Sequence, residues 1–143
     1  MKAKSIFRSV LCMMLLATTM VGFSSCDKDD DDDDNALIGS WELVEKRYTN
    51  SYNNREPETG SYYYDQRLTF KSDETLVIQE DGEVEHAKWK HNGTQLQLIF
   101  EGEDGVDIET FEVNTLNNET LILTITDYDE EGTYVTVTTY KKL

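Results

Sequence analysis

The sequence predicts an all-β fold, an eight-stranded antiparallel up-and-down barrel, and three observations carry that expectation. From Ala36 to Leu143, apolar and polar residues alternate with period two in short runs. Turn chemistry such as Glu80-Asp81-Gly82-Glu83 and His91-Asn92-Gly93 separates those runs. Pro57 is the only proline, and no long helical periodicity occurs. Short links place successive strands side by side, and eight of them can close and so remove exposed edges.

The first strand is read over 40–48, with Trp41 and Leu43 on one face. Next come 67–71, with Leu68 and Phe70 inward, and 75–79, with Leu76 and Ile78. The fourth, 84–90, turns Ala87 and Trp89 in and His86, Lys88 and Lys90 to water. Strand 94–100 sets Leu96, Leu98 and Phe100 against Gln95 and Gln97. Strand 107–114 contributes Phe111 and Val113, and 120–126 contributes Leu121, Leu123 and Ile125. In the last, 133–141, Val135/Val137 and Tyr134/Tyr140 both suit the inner face, and the choice stays open. The inward residues are mostly bulky, which favours a filled or shallow interior.

Residues 1–25 read as a lipoprotein signal peptide, 26–38 as a lipidated cysteine with a flexible acidic tether, and 39–143 as the barrel domain. Lys2, Lys4 and Arg8 precede an apolar run of about 14 residues from Val10 to Phe23. That is short of the roughly 20 residues a membrane-spanning helix needs. Ser24 and Ser25 then lead into Cys26. Asp27 and the aspartates 29–34 put seven carboxylates into eight positions, a run that repels itself, stays solvated and extends.

Ser24-Ser25-Cys26 after an apolar run resembles the lipobox of Bacteroidota lipoproteins. The resemblance implies a covalent diacylglyceryl lipid on Cys26, no other cofactor, and anchorage in the outer membrane; two or three acyl chains hold stably at about 0.8 kcal/mol per buried CH₂. The acidic run after the cysteine is similar to the surface-export signal of that group. It implies the cell surface, with the periplasmic leaflet as the alternative. Cys12 leaves with the signal and Cys26 carries lipid, so no disulfide and no cysteine nucleophile are expected.

Gly39-Ser40-Trp41-Glu42-Leu43, Leu68-Thr69-Phe70-Lys71-Ser72-Asp73 and Ala87-Lys88-Trp89-Lys90-His91-Asn92-Gly93 resemble the lipocalin-like lipoprotein domains of Bacteroidota. In such folds the entry tryptophan plugs the closed end of the barrel, a role carried here to Trp41.

An up-and-down order gathers the links after strands one, three, five and seven at the end opposite the chain entry. Glu80, Asp81, Glu101, Asp104, Asp127, Asp129, Glu130 and Glu131 then form an acidic rim. With a net charge of −16, such a rim disfavours nucleic acid, fatty acids and anionic lipid as partners. Segment 49–66 reads as a long loop over the same mouth. Its Tyr62, Tyr63 and Tyr64, with Trp89, are the ligand-binding candidates.

Asp127-Tyr128-Asp129-Glu130-Glu131-Gly132 has the rhythm of a calcium loop, but Thr138 stands where the bidentate glutamate belongs. An acidic hairpin turn explains it better, and no metal site is expected. His86 and His91 fall on opposite faces of a strand. No nucleophile elbow, P-loop or dinucleotide fingerprint is present, so no catalytic residue is assigned and an enzyme is not expected. The expectation is a monomeric, surface-anchored, non-catalytic binding module for a small neutral or cationic ligand or a glycan. The alternative is an interaction protein docking a basic protein partner or an outer-membrane complex through its acidic rim.

Overall fold

The computed structural model describes residues 36–143; the export segment, Cys26 and the aspartate run lie outside the described residues. The chain forms β1 (Gly39–Tyr52), β2 (Glu58–Tyr62), β3 (Gln66–Phe70), β4 (Thr75–Glu80), β5 (Glu83–His91), β6 (Gln95–Gly102), β7 (Gly105–Leu116), β8 (Thr120–Tyr128) and β9 (Gly132–Lys142). From β3 to β9 each strand pairs antiparallel with the next, and β1 closes the circle by pairing with both β3 and β9. Eight strands, β1 and β3–β9, therefore make a closed barrel of lipocalin-like form.

The ninth strand, β2, corrects the expectation of a long loop over 49–66. β1 runs on to Tyr52, and β2 folds back along its outer half, pairing from Lys46↔Tyr62 to Asn50↔Glu58. β3 takes over the same edge of β1 lower down, from Glu42↔Arg67 to Gly39↔Phe70. The close approach requires glycine at position 60. A Cβ there would run into the Tyr48 hydroxyl, because the tyrosine ring crosses that spot.

Turn residues hold the strands in register. Asp81 (φ 49°) and Gly82 (φ 86°) both take the left-handed conformation that a two-residue hairpin between Glu80 and Glu83 demands. Asp73, Asn92 and Asn117 each accept a backbone N–H two or three residues further on, which closes the turns at the entry end. Two bulges re-aim the inner face, one at Val44 in β1 and one at Asn114 in β7.

The core fills the entry half of the barrel. Trp41, Leu43, Leu68, Phe70, Leu76, Trp89, Leu96, Leu98, Leu121 and Leu123 are all buried there. Leu37, in the stretch read from sequence as tether, belongs to this core, and its carbonyl accepts the Trp41 indole N–H at 2.8 Å. The Lys142 ammonium lies 5.1 Å from the Trp41 ring centroid and donates to the Ala36 carbonyl. On β9 the open choice resolves in favour of the tyrosines. Tyr140 pairs with Leu121 and Leu43, and Tyr134 with Asp127, all on the inner face.

A cup of tyrosines and carboxylates above the core

Above this core the inner face changes character. The Val44 bulge shifts the alternation of β1, so that Lys46, Tyr48, Asn50 and Tyr52 point inward after Trp41 and Leu43. Thr138, opposite Lys46, is buried. A polar chain marks the floor of the upper half. The Tyr140 hydroxyl donates to Gln66 Oε1 at 2.7 Å, and Gln66 Nε2 donates to Glu80 Oε2 at 2.7 Å. The two bonds engage both the oxygen and the nitrogen of a buried amide, which offsets the cost of its desolvation.

One wall is aromatic. Tyr62 stacks on Tyr64 with centroids 6.0 Å apart and planes 23° apart, and Tyr48 lies 6.1 Å from Tyr62. The Lys46 ammonium sits 5.7 and 5.5 Å from the Tyr62 and Tyr64 centroids and donates to the Tyr64 hydroxyl at 3.2 Å. Nearer the mouth, Tyr52 packs edge-on to Tyr134, and the Arg55 guanidinium lies 3.5 Å from the Tyr52 centroid.

The opposite wall is acidic. Glu85 faces Ile78, Glu109 faces Leu98 and Asp107 faces Phe100, all on the inner side, and Asp127 completes the set from β8. Glu85, Asp107 and Asp127 are nevertheless exposed, so water reaches this part of the lumen. Burial, and then the neighbouring charges of Asp127, Glu85 and Asp107, push the Glu109 carboxyl up to about 6 against the pull of Lys46. Burial lowers the Lys46 ammonium, with Glu80 and Glu109 opposing that shift. Desolvation raises Tyr62 and Tyr64, so both hydroxyls stay protonated and available as donors.

The residues singled out in the sequence divide. Tyr62 and Tyr64 face the lumen, whereas Tyr63 is 63% exposed. Trp89 does not join them: it is buried at the entry end, edge-on to Phe70, with its indole N–H shared by the Lys71 and Thr75 carbonyls at 3.1 Å. The reason is position, since Trp89 lies two residues before the end of β5, where that strand reaches the closed end. Trp41 lies wholly buried beneath the barrel.

Glu80, Asp81, Asp104, Asp127, Asp129, Glu130 and Glu131 stand at the mouth end of their strands. Glu101 turns outward instead and pairs with Lys88 at 2.8 Å. Asp129 is spent on its own turn, accepting the Glu131 and Gly132 amides and the Tyr134 hydroxyl. Among the described residues no group of His, Cys, Asp and Glu is arranged to hold a metal ion. Lys46, Glu85, Asp107 and Glu109 went unrecognised from sequence. Continuing the alternation back from Val113 and Phe111 would have turned Glu109 and Asp107 inward.

A closed barrel with a solvent-reached polar lumen above an apolar plug is the architecture of a small-molecule binding module. Residues 37–123 match the lipocalin-like domain family, and the chain belongs to it. Among curated proteins none matches the chain. Solved structures similar to it include bovine odorant binding protein in complex with undecanal. That likeness has 20% identity and a TM-score of 0.44, and covers 75% of this chain and 71% of that one. A protein of unknown function from Nostoc punctiforme is similar at 12% identity and a TM-score of 0.38, over 77% of this chain and 49% of that one.

Proposed function

We propose that this protein is a lipid-anchored, non-catalytic binding module that takes a small neutral or cationic ligand, or a glycan, into the upper half of its barrel. The observation that carries the reading is the facing of two walls. Tyr48, Tyr62 and Tyr64 supply flat, polar-tipped surfaces opposite the carboxylates of Glu85, Asp107, Glu109 and Asp127. Such a lumen has acceptors for ammonium and hydroxyl groups and aromatic faces for a cation or a sugar ring. A fatty acid carboxylate would meet like charge.

Cys26 would carry the acyl anchor, and the aspartate run would hold the barrel off the outer membrane with its mouth outward. A Cys26→Ser chain should then leave the membrane fraction, and the mass of the mature N-terminal peptide should show the lipid. Ligand capture is tested by thermal shift of the full chain with spermidine, maltotriose and octanoate. Binding at a hundred times Kd stabilises by about 2.7 kcal/mol. Spermidine or maltotriose should raise the midpoint, and a response to octanoate alone would overturn the reading.

A further inference from the structure

Most ladders of the barrel run to the mouth. β8 and β9 pair as far as Tyr128↔Thr133, and β1 and β9 as far as Tyr52↔Gly132. Two do not. β5 and β6 pair from His91↔Leu96 up to Lys88↔Ile99 and no further, and β7 and β8 pair from Leu116↔Leu121 up to Glu112↔Thr124 and no further. The β6–β7 hairpin keeps its own ladder to Gly102↔Gly105. Its outer half, 100–111, is thus laddered to itself and to neither neighbour, with a seam on each side.

The seam between β7 and β8 holds a like-charged pair. Continuing the register of Glu112↔Thr124 upward by three residues would set Glu109 directly opposite Asp127, both on the inner face. Two more residues would bring Asp107 opposite Asp129. Like charges directly opposite one another destabilise a ladder. The unmade rungs run from Phe111 opposite Ile125 through Thr110 opposite Thr126 to Glu109 opposite Asp127, the first like-charged pair above the last paired rung.

We propose that the β7–β8 seam is a proton-operated zipper that controls side access to the cup. With Glu109 and Asp127 both ionised, the hairpin stands off β8 and the lumen is open at its side. When one of the pair is protonated, an O–H can donate to the remaining carboxylate across the seam, and the ladder extends toward the mouth. The charged groups that bear on Glu109 are Lys46 from β1, Glu85 from β5, Asp127 from β8 and Asp107 on its own strand. Lys46 opposes protonation, and the carboxylates and burial favour it, so the closing range falls in mildly acid conditions. Access control rests on the ligand-binding reading, but the zipper itself does not.

The test is hydrogen exchange of the full chain at pH 7.5 and 5.5, corrected for the intrinsic pH dependence of exchange. Amides in 105–111 and 125–128 should gain protection by roughly tenfold at pH 5.5, the population change that one pK unit of proton binding supplies. The β1–β9 ladder should not change. Glu109→Gln, and independently Asp127→Asn, should be protected at both pH values, because a side-chain amide can donate without a proton being taken up. Equal wild-type protection at both pH values would overturn the proposal, as would either folded variant keeping the wild-type pH dependence. No ligand enters the measurement: a working zipper in a chain that binds nothing would sink the ligand reading alone.

Discussion

Lys46 on β1 and Glu109 on β7 are not neighbours in the sheet, yet each shifts the other's charge equilibrium across the lumen. The pair defines the polar upper half of the barrel. An ammonium beside two tyrosine rings faces a wall in which burial and three further carboxylates hold one acid at about 6.

A stability signature follows from that acid. The folded Glu109 carboxyl holds its proton more tightly than an ordinary glutamate, which titrates near 4.5. Its contribution therefore favours the folded state below about 4.5 and is lost as pH rises through about 6. Raising the pH from 4.5 to 7.5 should cost on the order of 1–2 kcal/mol through this group. Glu109→Gln should flatten that part of the profile, read as the wild-type-minus-variant difference in urea midpoints at the two pH values.

Tyr64→Phe removes the acceptor of the Lys46 ammonium but keeps the stack on Tyr62. The expected cost is about 1 kcal/mol, the scale of a part-exposed hydrogen bond. Burial of Lys46 with one acceptor fewer should lower its pKa further, which NMR titration of the lysine can follow.

Gly60→Ala puts a methyl group into the Tyr48 ring. Either the ring moves or β2 lifts from β1, at a cost of about 1–3 kcal/mol. Exchange of the β2 amides distinguishes the two, because only lifting exposes the pairs from Lys46↔Tyr62 to Asn50↔Glu58.

Trp89→Phe tests the reassignment of that residue to the closed end. The change leaves the Lys71 and Thr75 carbonyls without the indole donor and should cost about 1–3 kcal/mol in stability. It should leave any ligand affinity unchanged, which titration of the folded variant checks.

The barrel was legible because its apolar half alternates without interruption, from Leu68-x-Phe70 through Leu76-x-Ile78 to Leu121-x-Leu123. The cup was less so, for three physical reasons. A one-residue bulge at Val44 reverses the alternation of β1, and nothing in composition signals it; period two continued from Trp41 and Leu43 puts Lys46 on the outer face. The inner face of β7 changes from Phe111 to Glu109 and Asp107, which looks like a strand entering a loop unless the alternation is followed past the apolar residues. β2 is held by a tyrosine lying over a glycine, a contact between positions 48 and 60 that period-two counting does not register. Trp89 was rightly turned inward but grouped with the mouth tyrosines, because its distance from the entry-end turn was not weighed.

A cup that selects cations and neutral polyhydroxylated molecules over carboxylates should show it in calorimetric titration of the full chain with spermidine, maltotriose and octanoate. Spermidine or maltotriose should give heat, a Glu85→Gln, Asp127→Asn double variant that keeps its fold should lose it, and octanoate should give none. Octanoate binding as tightly as the other two, or unchanged binding in the double variant, would contradict it.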